Sequence, residues 1–183
     1  MKKVAVVFAQ GFEEIEALTV VDVLRRAGIS CDMLGFEASV TGSHLIKVEM
    51  DKVWSSSIED YDMLVLPGGM PGAKHLAEHQ GLLELLRDYH ARGKWLAAIC
   101  AAPTVFEAAG LLENKHYTCY NGFEEQIQSG TYLKEAVVVD GNLVTSRGPA
   151  SALEFSYQLV DLLGGDASTL RQAMLYQDLF GKD

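Results

Sequence analysis

The chain has 183 residues, 49% hydrophobic and 22% charged, a balance that suits one globular domain over residues 1–183 and excludes a disordered or collagen-like protein. Its 15 Lys and Arg against 25 Asp and Glu leave a net charge of −10, the wrong sign for tracking a phosphate backbone, so nucleic acid is not expected as a standing partner. The 3 cysteines, Cys31, Cys100 and Cys119, are too few for a disulfide framework, and no Cys/His cluster has zinc spacing; this predicts a reducing compartment and no metal.

Val4 to Phe8 is apolar at consecutive positions, the pattern of a parallel strand covered on both faces. This stretch is too short for a signal peptide or a membrane span, which predicts a cytoplasmic protein with no membrane partner. Phe12 to Ala27 begins with Glu13, Glu14 and Glu16, ends with Arg25 and Arg26, and is stopped by Gly28, charges that suit a helix dipole. Ile29 to Leu34 returns as a strand, and Val40 to Val53, with Thr41-Gly42-Ser43 inside it, reads as a shorter, exposed excursion. Met63 to Leu66 is a buried strand ending in Pro67-Gly68-Gly69, and Leu82 to Arg92 has apolar residues at helical spacing. Trp95 to Ile99 is the next strand. Cys100 follows it at once, and a helix over Ala102 to Ala109 tolerates Pro103 in its first turn. Ala136 to Val139 and Leu143 to Thr145 flank the turn Asp140-Gly141-Asn142 as a hairpin, and helices over Ala150 to Leu163 and Ala167 to Phe180 close the chain. This alternation predicts a doubly wound, mostly parallel α/β sheet with helices on both faces.

In such a sheet, ligands bind outside the carboxyl ends of the parallel strands, where Gly11, Gly68-Gly69 and Cys100 fall. Ala98-Ile99-Cys100-Ala101-Ala102 has small residues two positions either side of the cysteine, as a nucleophile on a sharp strand-to-helix turn requires. A helix start behind the sulfur predicts a lowered thiol pKa. Cys31 and Cys119 lack that frame and are expected to be inert. Gly68-Gly69 lets backbone approach a ligand and aim N–H groups at a developing oxyanion. Among Glu13, Glu14 and Glu16 a solvated run is the default; one turned inward beside the sulfur would be held protonated, and spacing does not select which. Of the histidines, His79 and His90 are expected in water on a helix, whereas His44 and His75 are candidates for the rim.

Five motifs in order resemble those of the ThiJ/PfpI superfamily, most closely the branch of the parkinsonism-associated protein deglycase. They are Gly11-Phe12-Glu13-Glu14-Ile15-Glu16, Asp22 to Gly28, Leu66-Pro67-Gly68-Gly69, Ala97 to Thr104, and Thr145-Ser146-Arg147-Gly148-Pro149. The resemblance implies a flavodoxin-like fold, a homodimer and a cofactor-independent cysteine enzyme linked to carbonyl and oxidative stress. Its implied activity is that of a glyoxalase or deglycase acting on small aldehydes such as methylglyoxal and glyoxal or on glycated substrates. It implies Cys100 as nucleophile, Glu16 as its protonated partner, the N–H groups of Gly69 and Ala101 as oxyanion donors, and Gly68 and Arg147 as part of the substrate frame. Three positions depart from the pattern. Ala101 stands where peptidase-type members carry histidine, which demotes a peptidase or amidase reading. Tyr120 stands where a histidine is often found, and His44 takes the place of a basic residue that reaches across the dimer in some relatives, which would make anion binding pH dependent. The rival reading is a redox sensor whose cysteine is oxidised to sulfinate.

Overall fold

The computed structural model describes residues 2–55, 58 and 60–181. In chain order the elements begin with β1 (Lys3–Phe8), α1 (Glu14–Arg26), β2 (Ser30–Gly35), β3 (Ser39–Thr41), β4 (Lys47–Glu49) and β5 (Lys52–Val53). The middle of the chain forms β6 (Met63–Leu66), α2 (Gly72–Glu78), α3 (Gln80–Ala91), β7 (Trp95–Ile99), α4 (Pro103–Ala108), β8 (His116–Tyr117) and β9 (Thr131–Tyr132). Strands β10 (Val137–Asp140) and β11 (Leu143–Ser146) then precede α5 (Ala152–Leu162), α6 (Ala167–Ala173) and α7 (Tyr176–Phe180).

Seven strands form the main sheet in the order β10-β11-β7-β6-β1-β2-β5, every pairing parallel except that of β10 with β11. Strand β1 is central and its side chains alternate between two cores. Val4, Val6 and Phe8 face α1 and α5, packing with Val20, Leu24, Phe155 and Leu159. Ala5 and Val7 join Leu64, Leu82, Leu86 and Phe106 on the opposite face, under α3 and α4. Burial on both faces explains the unbroken apolar run, because a parallel strand covered by helices on each side has no solvent face. The sheet is therefore the doubly wound, flavodoxin-like arrangement expected.

Helix α1 is fixed at both ends by its own sequence. The Glu13 side chain caps the start by accepting from the Glu16 N–H at 2.8 Å. At the other end Gly28, with φ +71°, lets the Ile29 N–H reach the Leu24 carbonyl and its own N–H reach Arg25. The acids of the first turn do not form the solvated run that is the default for such a cluster. Glu13, Glu14 and Glu16 are all buried, Glu16 completely.

Other departures have local causes. Residues 72–78 form α2, hidden in the sequence behind a Pro-Gly start and held by burial of Ala73 and Leu76. The excursion splits into the β3–β4 hairpin and β5, which returns to the main sheet beside β2. The last helix breaks at Leu175, whose φ of 59° ends α6 and starts α7. His79 is not in water: its Nδ1 caps α3 by accepting from Leu82 at 3.0 Å, and its ring stacks on Phe36. His90 is half-buried, with Nδ1 unpartnered among the described residues. No helix among the described residues is long and apolar enough to cross a membrane.

Candidate active site

Strand β7 ends at Ile99, and Cys100 takes the sharp bend into α4 with φ 67°, a left-handed conformation rare and strained for a residue with a Cβ. Two hydrogen bonds fix the bend, from Cys100 N–H to the Ser146 carbonyl and from Tyr120 N–H to the Cys100 carbonyl, both 2.9 Å. Ala98 and Ala102 are fully buried on either side, so the small residues that mark the turn in the sequence are also its packing requirement.

Gly68 explains itself by contact. A Cβ there would lie 2.6 Å from Cβ of Cys100 and 2.8 Å from Oε2 of Glu16, so glycine alone lets the β6 loop close over both. Its N–H donates to Glu16 Oε2 at 2.8 Å, and its carbonyl accepts from Glu13 N–H at 2.9 Å. The loop thus ties the first turn of α1 to the bend, and Glu16 is brought against the sulfur. Glu16 Oε1 is buried and has no hydrogen-bond partner among the described residues.

Burial pushes Glu16 up to about 7, opposed by its hydrogen bonds to Cys100 and Gly68 and assisted by the charge of Glu13. Cys100 is pushed up as well, first by burial and then by the Glu16 charge and hydrogen bond, while the N–H groups of Gly69 and Ala101 pull it down. This corrects the expectation of a thiol acidified by a helix end. The helix that follows starts three positions later and has only 6 residues, so the favourable field comes from those two N–H groups. The two groups interact strongly enough to titrate as a pair: the first proton leaves near neutrality, the second far above it. Cys31 and Cys119 are each pushed up to about 12 by burial, and no backbone N–H offsets it.

The structure therefore brings together Cys100, Glu16, Gly68, Gly69 and Ala101. Neither His44 nor Arg147 is among the groups that shift the Cys100 thiol. His44 is exposed at the tip of the β3–β4 hairpin, with Nδ1 3.0 Å from Glu14 Oε2 and its N–H donating to Glu14 Oε1 at 2.7 Å. Burial alone would raise the Glu14 pKa, but the donors from His44 and Ile46 hold it below the usual carboxylate value, and His44 is raised in return. Ligand atoms of Glu13, Glu14 and His44 lie within 4.8 Å of one another, as a metal would need. They are already engaged, however, with the Glu16 N–H and with each other.

Arg147 follows Ser146 and lines a cleft of about 570 Å³ with Tyr120, Asn121, Pro149, Glu154 and Tyr176. The cleft reaches the bend through Tyr120, whose N–H donates to the Cys100 carbonyl, and through Arg147, which follows Ser146. Asn121, which the sequence did not single out, accepts a hydrogen bond from the Arg147 guanidinium. No spacing marks it, since the pair is 26 positions apart and meets only once the segment after β8 folds back beside β11. Ser151 was missed as well: its Oγ accepts from the N–H groups of Arg147 and Gly148 at 3.2 and 3.1 Å and sets the turn beneath the cleft.

Comparison with known proteins places the chain in a family. The model of the DJ-1/PfpI family matches residues 2–162. The Parkinson disease protein 7 homolog of Danio rerio is 36% identical over 95% of this chain and 96% of its own. The glutathione-independent glyoxalase DJR-1.2 of Caenorhabditis elegans is 32% identical over 86% of each chain. The chain spans only 39% of the longer DJ-1 homolog B of Arabidopsis thaliana. The crystal structure of Drosophila melanogaster DJ-1beta superposes with a TM-score of 0.92 at 35% identity, covering 95% of this chain and 97% of that one. With the family model matching residues 2–162 and the fold superposing on a DJ-1 structure, the chain belongs to the DJ-1/PfpI family.

Proposed function

We propose that the chain is a cofactor-independent glyoxalase or deglycase-type cysteine enzyme acting on methylglyoxal, glyoxal and their early adducts. The observation that carries the reading is the buried Glu16 carboxyl against Cys100, with Oε2 accepting from Gly68 and Oε1 without a hydrogen-bond partner among the described residues. A bare carboxylate oxygen buried without a donor is costly, whereas a protonated oxygen can donate to sulfur. In this reading the pair holds its single negative charge on Cys100, where the Gly69 and Ala101 N–H groups work against the burial and the Glu16 charge that raise the thiol. The glyoxalase name of the nematode relative supports the same chemistry.

In this reading the thiolate adds to the aldehyde carbon, a C–S bond forms, and the carbonyl electron pair moves to oxygen, which takes the Glu16 proton to give a hemithioacetal. The Glu16 carboxylate removes the proton on that carbon, and reprotonation at the neighbouring carbon converts ketone to alcohol, leaving a thioester. Water cleaves the thioester, releases lactate from methylglyoxal or glycolate from glyoxal, and restores the pair. The test is lactate formation from methylglyoxal without glutathione. Parent protein is expected to produce it and Cys100→Ala is not; equal rates contradict the proposal.

One contrast favours a second reading, redox sensing through sulfinate: Cys100 alone of the three cysteines has backbone N–H groups lowering its pKa. Mass spectrometry after mild peroxide is expected to find a single two-oxygen adduct, on Cys100; equal oxidation of Cys31 and Cys119 would remove this reading. The chain is also proposed to pair with a second copy through Ile15, Leu45 and Ile46, exposed at 57%, 85% and 51% around the Glu14–His44 contact. Sedimentation of the parent is expected to give a dimer, and of Leu45→Glu a monomer; a monomeric parent contradicts the pairing.

A further inference from the structure

We infer that the cleft beside the cysteine bend binds a carboxylate-bearing ligand of amino-acid size, anchored by Arg147, with Tyr120 and Tyr176 flanking its apolar body. The inference rests on the reading of Cys100 as a nucleophile for carbonyls, and names a larger substrate class for that same bend. Volume is the first argument. About 570 Å³ falls in the roughly 300–1,000 Å³ range of sites for organic ligands much larger than a three-carbon aldehyde.

Charge is the second. The chain carries −10; Arg25, Arg26, Arg92 and Arg171 are each ion-paired with an acid, and Arg87 donates to the Ala109 carbonyl at 3.0 Å. Arg147 has no ion pair among the described residues; the neutral Asn121 oxygen holds it instead. That bond orients the guanidinium without cancelling its charge, and a fixed, uncompensated guanidinium in a concavity is suited to gripping a carboxylate. The acid in the same cleft, Glu154, is engaged by Arg171 at 2.9 Å and by the Tyr176 hydroxyl.

Placement is the third. The turn that carries Arg147 is pinned by Ser151, and the Tyr120 ring lies against Gly148, where an added Cβ would come within 3.1 Å of it. Tyr120 and Ser146 are the two backbone partners of Cys100, so a ligand held by Arg147 and Tyr120 sits next to the bend. Tyr120 is 49% exposed, which leaves a ring face for the ligand.

The probes are hippurate, an amino-acid-sized carboxylate with an aromatic body, and hippuramide, its uncharged counterpart. Each is titrated calorimetrically into the Cys100→Ser protein, which removes turnover from the measurement. Hippurate is expected to bind about 10-fold or more tightly than hippuramide, and Arg147→Gln is expected to bring the two within about 2-fold. Asn121→Asp, which leaves Arg147 in place but gives it an internal carboxylate, is expected to do the same. Equal affinities, no hippurate binding at millimolar concentration, or a preference that survives both substitutions would overturn the inference. Loss of methylglyoxal turnover in the parent would instead strike the proposed function, because the binding measurement does not depend on it.

Discussion

Glu14 and Glu16 stand two residues apart in the first turn of one helix, both buried, yet their carboxyls are driven in opposite directions. Glu14 collects hydrogen bonds from His44 and from the backbone of His44 and Ile46, and sits below the usual carboxylate pKa. Glu16 receives one N–H, from Gly68, faces a sulfur, and is pushed up to about 7. The difference teaches that depth of burial, much greater for Glu16, and the number of donors together decide whether a buried acid keeps its charge. The donor-rich side of the turn builds structure; the donor-poor side is free to hold and pass a proton.

The hardest way to break the comparison is to remove what Glu16 serves. Cys100→Ala is expected to lower methylglyoxal turnover to the uncatalysed level, read as lactate formed per minute. Next, Glu16→Gln is expected to cut kcat by about 10²–10⁴-fold, the range for losing a positioned acid–base group. The same substitution should raise stability. Because the folded pKa of Glu16 lies above its unfolded value of 4.5, the parent loses stability as pH climbs from 4.5 to about 7 and stays lower beyond it. The loss is at most about 3–4 kcal/mol. Denaturant unfolding at pH 5 and pH 8 should therefore show Glu16→Gln gaining on the parent at the higher pH, and no gain would contradict the burial argument.

Glu14→Gln sharpens the contrast with the opposite sign. It is expected to destabilise by about 1–2 kcal/mol at pH 7 through loss of charge-assisted hydrogen bonds, measured the same way. Glu14 is held below its unfolded value, so its contribution is present above 4.5 and disappears as pH falls through the folded pKa. His44→Gln should have the smallest effect. Its raised pKa means the contact with Glu14 helps below the unfolded value of 6.5 and is lost as pH rises through the folded one. The variant is therefore expected to melt slightly earlier than the parent at pH 6 and together with it at pH 8.5.

Much of this architecture could be read from residues alone. Met63 to Leu66 and Trp95 to Ile99 end where the apolar runs end, because strands buried on both faces leave no ambiguity of face or length. The bend at Cys100 was equally legible, since small residues must flank such a turn. Which of three nearby acids faces the sulfur was not, because the Gly68 loop that selects Glu16 comes from 52 positions away. The family resemblance singled it out where spacing did not. The direction of the sulfur's pKa was misjudged for a related reason: sequence displays the following helix but neither the depth of burial nor the acid opposite. Helix α2 and the break at Leu175 escaped because short helices depend on tertiary packing rather than on their own periodicity.

The most direct test of the account is the thiolate absorbance of Cys100, taken as the ultraviolet difference between parent and Cys100→Ser across the pH range. In the proposed function the first proton the pair loses is that of Cys100, so thiolate should appear well below the alkaline range of an ordinary cysteine and approach one equivalent per chain, with the remaining proton on Glu16. A signal that stays flat until the alkaline range of an ordinary cysteine or beyond would place the charge on Glu16 and contradict the account.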